Sequence, residues 1–448
     1  MSNTISENRS KNYIKQIKSS FIFKGLAIFA SFLAIPIMIK YLGVEHYGVW
    51  STLLSIVSWV VLFDIGIGNG LRNKISESLA QDNKQEAHNY ISTAYTIIGS
   101  ISVILILIFL LASEYIPWQK VFNITSISNQ ELQSIVNITA IFLFLNFWIS
   151  LINQVFNGFQ KTSLVVFNQF LSNIFSLLAV FILYTFYESS LIKLAFAYGI
   201  SLVLSSLILS LWFYSKNREF IPKIKSFGLN YAKSITSLGF KFFVIQIAVI
   251  VIFTTDKILI TQLFGPEHVA SYDVAFKLFS VITIAHGILM APLWSAYSDA
   301  YHRGDREWIR KAIKNQLKIY VLVVLGAILL IFLTQPIINL WIGKEFIIDK
   351  LLIISMGFFI IVSTWNNVFG YVLGGLGYVR LGAYYTSLTA IINIPISYYF
   401  SIVLNFGISG IIYGTIFSIL ISSILSPIQV YYFVFANTKN KLYERILK

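Results

Sequence analysis

The chain has 448 residues, of which 57% are hydrophobic and 12% charged, and its mean hydropathy is +0.76. A soluble globular chain carries about twice that charged fraction, so the composition is that of a membrane protein. The absence of cysteine excludes disulfides, thiol catalysis, iron–sulfur ligation and lipid attachment through cysteine.

Residues 1–18 are polar and basic, with Arg9, Lys11, Lys15 and Lys18. The apolar run that follows is too long for a signal peptide and lacks a small-residue cleavage site, so it reads as an uncleaved first helix. Lys11, Lys15 and Lys18 share one helical face suited to anionic headgroups; a solvated tail explains them equally well. Twelve membrane-length spans are expected, at about 19–40, 48–69, 90–112, 135–156, 164–186, 192–214, 236–263, 270–292, 316–334, 351–372, 382–404 and 409–434. If the N-terminus is cytoplasmic, the inner segments hold 24 Lys and Arg and the outer ones only Lys120, Lys344 and Lys350. That bias places both termini inside. It also accounts for the net charge of +14 without nucleic acid as a partner. The inner loops 70–89, 215–235 and 293–315 read as amphipathic linkers on the inner surface. Tyr115 with Trp118, Trp341, and Trp212 with Tyr214 are expected in an aromatic belt.

The second span ends in Leu62–Lys74, LFDIGIGNGLRNK. It places Asp64 inside the bilayer and Gly66, Gly68 and Gly70 at the exit, followed by Arg72 and Lys74. The preceding segment is a membrane run rather than a strand, so the glycines are not a dinucleotide fingerprint. They suit close helix packing through small residues, or a hinge. A repeat is also visible. Leu42-Gly43-Val44-Glu45-His46 is echoed by Phe264-Gly265-Pro266-Glu267-His268, 222 residues later and six spans on. Both halves then enter the membrane the same way, as in a parallel repeat. The division is expected as 1–218 and 219–448.

Intramembrane charges cost roughly 2.5–3.5 kcal/mol each at a span centre and mark functional candidates. Here they are Lys24, Asp64, Lys241, Asp256, Lys257, Asp273 and Lys277, all in the leading hairpin of each half. By depth along the helices, Lys24 is expected to meet Asp64, and Asp256 to meet Lys277, with Asp273 also in reach of Lys277. Ion pairs that merely hold helices together are the plainer reading. Amides occupy other spans: Asn146, Asn153 and Asn157 form a stripe bordered by Gln154, span five carries Asn168, Gln169 and Asn173, and span ten carries Trp365, Asn366 and Asn367. Amides and rings suit sugar hydroxyls and C–H faces; interhelical hydrogen bonding is the alternative. No catalytic constellation or metal motif is present. His286 alone lies well inside a span, where a single histidine is more often structural.

The stretch KGLAIFASFLAIPIMIKYLGVEHYGVWSTLLSIVSWVVLFDIGIGNGLRNKISE resembles the first two helices of bacterial polysaccharide-export flippases, the Wzx-type O-antigen translocases. DKILITQLFGPEHVASYDVAFK is a weaker match of the same kind, and the span layout covers the whole chain. That polysaccharide-transport family shares a superfamily with lipid II flippases and MATE exporters. The resemblance implies an all-α membrane protein of two six-helix bundles around a cavity, in the bacterial inner membrane. It implies no enzyme activity and no cofactor. The implied substrate is an undecaprenyl-diphosphate-linked oligosaccharide, moved from the cytoplasmic to the outer leaflet by exchange with H+ or Na+. Lys24 and Lys277, with Lys241 and Arg72 as further cavity cations, are then candidates for the diphosphate. Asn146, Asn153, Asn157, Trp365 and Asn366 are candidates for the sugars, and Asp64, Asp256 and Asp273 for the ion. The chain would act as a monomer beside a polysaccharide polymerase and a chain-length regulator. The rival readings are a MATE-like small-molecule exporter and a membrane polymerase or acyltransferase. The short outer loops count against the enzyme.

Overall fold

The computed structural model describes residues 2–59, 64, 66–302, 304–378 and 380–436, and among them there are helices and no strand. The helices are α1 (Ser2–Leu42), α2 (Val44–Val57), α3 (Ile67–Ala80), α4 (Lys84–Ser113), α5 (Trp118–Phe122), α6 (Asn129–Ile149), α7 (Ile152–Gly158), α8 (Thr162–Phe186), α9 (Leu191–Lys216), α10 (Leu229–Phe264), α11 (Glu267–His302), α12 (Arg306–Trp341), α13 (Lys350–Leu376), α14 (Arg380–Tyr398) and α15 (Gly407–Val430). Ten described stretches are long and apolar enough to cross a membrane. The other two expected spans, 48–69 and 236–263, include residues 60–63 and 65 and the side chains of 237–253, which lie outside the described residues. Large apolar side chains stand bare on the helix faces, Leu111 at 69% exposure and Phe332 at 75%. Such surfaces are stable only in hydrocarbon, so the chain is a multi-pass membrane protein.

The chain divides into two compact units, Met1–Val244 and Ile245–Lys448. In the first, α4 packs on α6, α3 on α4, α6 on α9 and α8 on α9. In the second, α12 packs on α13, α11 on α12, α13 on α15 and α14 on α15. The order of neighbours recurs, as a duplicated six-span unit requires. The punctuation recurs too. Gly43, at φ 79°, separates α1 from α2, and Gly265, at φ 103°, separates α10 from α11. A side chain is strained in that left-handed region, so glycine stands at the matched position in both copies of the repeat.

Predicted span two is two helices. A single turn at Ser58–Trp59 follows α2, and α3 starts after Gly66, held at φ 77°. Leu62, Phe63 and Ile65 of the motif lie outside the described residues. Close packing also claims the glycines: a Cβ on Gly70 would stand 2.2 Å from the Ile235 carbonyl oxygen, where α3 crosses α10. Of the expected aromatic belt, Tyr115 and Trp212 are exposed, but Trp118 is buried. Its indole N–H donates to the Ser113 carbonyl at 3.1 Å, and its ring stacks on buried Phe122. The short helix α5 folds this tryptophan inward, into the core of the first unit.

Helices α14 and α15 meet at Gly410 and Gly414, a small-xxx-small pair that lets backbones approach. A Cβ on Gly414 would stand 2.3 Å from Ser397 Cα, and one on Gly410 2.5 Å from Ser401 Cα. The approach is sealed by hydroxyls: Ser397 Oγ donates to the Ile411 carbonyl at 3.2 Å and Thr389 Oγ1 to the Ser418 carbonyl at 3.1 Å. Gly414→Ala is expected to destabilise the protein by roughly 1–3 kcal/mol through overpacking. Gly326→Ala, where nothing lies within 4 Å, should be neutral or slightly stabilising. Thermal unfolding of the two purified variants checks this, and equal midpoints would refute the close approach.

Candidate functional site

In the first unit the expected Lys24–Asp64 pair is not formed. Asp64 Oδ1 instead accepts the Gly68 N–H at 2.9 Å, so the carboxylate caps the first turn of α3. An acid there satisfies a backbone donor and complements the helix dipole. Lys24 is half-buried on α1, and its Nζ donates to Gln169 Oε1 on α8 at 2.9 Å. The partner is four spans further along the chain and neutral. Helix α1 lies along α8, with Phe23 and Phe167 rings 4.7 Å apart and Asn173 Nδ2 donating to the Ala27 carbonyl at 2.8 Å. Arg72 is exposed on α3. The side chain of Lys241 lies outside the described residues.

The amide stripe lies largely within a polar seam linking helices of the same unit. Asn168 Nδ2 of α8 donates to Asn153 Oδ1 of α7 at 3.0 Å and to Ser206 Oγ of α9 at 3.1 Å, and Ser206 Oγ donates to Asn146 Oδ1 of α6 at 3.2 Å. Asn157 Nδ2 reaches Gln154 Oε1 at 3.4 Å. In the second unit, Trp365 Nε1 and Asn366 Nδ2 on α13 donate to the carbonyl and hydroxyl of Ser423 on α15, each at 2.9 Å. Apart from the Asn157–Gln154 bond, which lies within α7, these bonds join helices, a use amides commonly find in membranes.

The second unit gathers a different cluster. Asp256 on α10 does not pair with Lys277. Its Oδ2 accepts the Tyr272 hydroxyl of α11 at 2.9 Å, and its Oδ1 accepts the Thr415 hydroxyl of α15 at 3.2 Å. Asn393 Nδ2 of α14 donates to Thr415 Oγ1 at 3.0 Å, and Thr255 Oγ1 lies 3.5 Å from Asn393 Oδ1. All five side chains are buried. Four helices thus join a carboxylate, three hydroxyls and an amide in one hydrogen-bonded cluster, and no described Lys or Arg pairs with Asp256. Burying a carboxylate without a counter-charge is costly, so this group calls for a proton or a small cation. Oxygen-only donors suit a hard monovalent ion. Gly414 explains the geometry: close approach of α14 and α15 brings Asn393 onto Thr415, the residue after that glycine.

Asp273 makes an ion pair with Lys257 across the α10–α11 hairpin. Lys277 is half-buried on α11. His286, also on α11, is buried with neither ring nitrogen hydrogen-bonded, and stands 222 residues after Asp64, the register of the repeat. Sequence reasoning missed Tyr272, Asn393 and Thr415. Asn393 was the available signal, a lone amide inside the apolar run of α14.

This fold is that of the MATE transporters. A MATE multidrug resistance transporter in an inward-facing conformation superposes with a TM-score of 0.77, covering 93% of this chain and 96% of that one at 14% identity. Residues 242–399 match the MatE family model. The chain belongs to the polysaccharide biosynthesis protein family, whose model matches residues 14–293. A Yersinia pseudotuberculosis protein named for O-antigen export is 25% identical over 415 residues, 89% of this chain and 90% of that one. A Salmonella typhimurium protein named for O-antigen transport is 24% identical over 408 residues, 89% of this chain and 92% of that one.

Proposed function

We propose that the protein is a flippase. It carries an undecaprenyl-diphosphate-linked oligosaccharide from the cytoplasmic to the outer leaflet of the bacterial inner membrane, for surface polysaccharide synthesis. Asp256 is its ion-coupling residue. The observation that carries the reading is a buried carboxylate that no described Lys or Arg pairs with, bonded by two hydroxyls, in a chain of the polysaccharide biosynthesis family. A diphosphate and sugars cannot cross hydrocarbon unaided, and exchange with an ion gradient can drive them. With an ion on Asp256 the cluster is neutral. On release it holds a bare carboxylate that favours refilling or rearrangement, which is how an ion can bias two states.

Lys24 serves the diphosphate. No described carboxylate neutralises it, and its amide partner can yield to phosphate oxygens. Lys277, half-buried on α11, is a second candidate cation for the diphosphate. Asp273, already paired with Lys257, is the weaker coupling candidate. The excess of Lys and Arg on one set of loops supports cytoplasmic termini, and the functional unit is a monomer acting beside a polymerase and a chain-length regulator. The match to the MatE model favours one rival, a small-molecule exporter. Proteoliposomes carrying a labelled lipid-linked oligosaccharide separate the two. Flippase action predicts transfer of the label to the opposite leaflet, dependent on an imposed H+ or Na+ gradient. Uptake of cationic dyes without label transfer would establish the exporter instead.

A further inference from the structure

The first unit holds a groove of about 570 Å³ away from all of these residues. Its walls are α4, at Gly99, Ser100, Val103 and Ile104, and Trp148 of α6, and it is lined at one end by Pro222, Lys223 and Ile224 of the segment 217–228 that follows α9. The volume lies in the range of ligand sites, about 300–1,000 Å³. The floor is shaped by close packing. A Cβ on Gly99 would stand 2.7 Å from the Trp148 ring, so the indole lies against the α4 backbone. Ser100, Val103 and Ile104 leave an exposed, mainly apolar wall beside it.

That segment is strapped to α4. His88 Nε2 bonds the Ile221 carbonyl at 3.0 Å, the Lys223 N–H donates to Ser92 Oγ at 3.1 Å, the Gly228 N–H donates to Thr93 Oγ1 at 3.2 Å, and Asn89 Nδ2 donates to the Tyr231 hydroxyl at 3.1 Å. These bonds hold the segment, and Lys223 with it, along α4 beside the groove. The outer side of the strap alternates bare apolar and basic residues: Ile224 is 81% exposed and Leu229 77%, and Lys223 and Lys225 flank Ile224. A segment of that kind lies in the headgroup layer, apolar side chains down and cations among phosphates. No acid lies between Ile221 and Gly228, and no described carboxylate pairs with Lys223.

We propose that this groove binds an anionic phospholipid, its phosphate at Lys223 and one acyl chain along Val103 and Ile104 beside Trp148. An apolar channel opening under an un-neutralised cation at the interface matches one molecule of that chemistry: a hydrocarbon chain ending in a negative headgroup. The site lies on the membrane face that carries the Lys and Arg excess, where anionic lipid attracts basic residues. Because the strap precedes α10, bound lipid would also hold the start of α10 to α4.

Native mass spectrometry of delipidated full-length protein, titrated with phosphatidylglycerol or with phosphatidylcholine of the same chains, tests the proposal. Phosphatidylglycerol should bind at least roughly fivefold more tightly, the worth of one lysine near an anionic surface. Lys223→Glu should remove that preference. Ser100→Trp, which fills the groove from an exposed position, should weaken both lipids. Lys344→Glu, which is not among the residues that line the groove, should change neither. On the wild-type protein, photoactivatable phosphatidylglycerol should cross-link within residues 96–104. Unchanged phosphatidylglycerol binding in both Lys223→Glu and Ser100→Trp, or cross-links that all fall outside the groove, would overturn the site.

Discussion

Asp256→Asn is expected to abolish ion-driven flipping while leaving the protein folded. The substitution keeps the shape of the side chain. An asparagine can still accept from Tyr272 with its carbonyl, and its amino group can donate to Thr415, so both interhelical links survive. Only the negative charge is removed. If that charge holds the coupling ion, its loss leaves three hydroxyls and an amide to bind it. Deleting one partner of a buried ionic contact costs roughly 3 kcal/mol or more, about a hundredfold in affinity. Transfer of labelled substrate in proteoliposomes should therefore lose its dependence on the gradient and fall to background. Thr415→Val and Asn393→Ala keep the carboxylate and remove single donors, so they should shift the half-saturating ion concentration without erasing the dependence. Gradient-dependent transfer at the wild-type rate in Asp256→Asn would remove Asp256 from the mechanism.

The second-unit cluster shows where sequence stops carrying structural information. Span lengths, the chemical type of each intramembrane residue and the repeat were legible, because hydropathy and helix rise are local properties. Depth alone suggested that Lys24 meets Asp64 and that Asp256 meets Lys277, and neither pair is formed in this structure. Lys24 and Asp64 do lie on consecutive spans, but α1 packs along α8, so the lysine finds Gln169, 145 residues on. Asp256 finds Thr415 at a separation of 159 residues. Depth gives one coordinate of a side chain; its direction around the helix axis and the identity of the facing helix come only from tertiary packing. The bond of Asp64 to the start of α3 was not legible for another reason. Read as one continuous span, 48–69 offers no helix start for an acid to cap, and the start of α3 at Gly66 creates that role. The amides of α6 to α9 and of α13 carried both readings, sugar contact and interhelical bonding, and their partners decide most of them for the second.

Lys24→Gln is expected to reduce flipping by an order of magnitude or more at unchanged or increased stability. A lysine inside an apolar span costs roughly 2.5–3.5 kcal/mol on the insertion scale, and its single neutral partner here repays only part of that cost. Its packing role is small, because Phe23 against Phe167 and Asn173 against the Ala27 carbonyl already join α1 to α8. Glutamine can keep a hydrogen bond to Gln169, so the substitution isolates the charge. A lost contact between an ammonium and a phosphate is a lost charge-assisted hydrogen bond, worth roughly 1.5–3 kcal/mol, or about ten- to a hundredfold in binding. Lys24→Arg should retain part of the activity, since a guanidinium also binds phosphate, but with a different reach and shape. Asn173→Ala should do the opposite. It removes a link between α1 and α8 worth about 0.6 kcal/mol on average in membranes and so lowers the unfolding midpoint, while binding of the lipid-linked diphosphate is retained. Measuring both quantities on all three proteins separates the charge from the packing. Wild-type flipping in Lys24→Gln, together with an unfolding midpoint below that of Asn173→Ala, would show that Lys24 serves the α1–α8 contact and not the substrate.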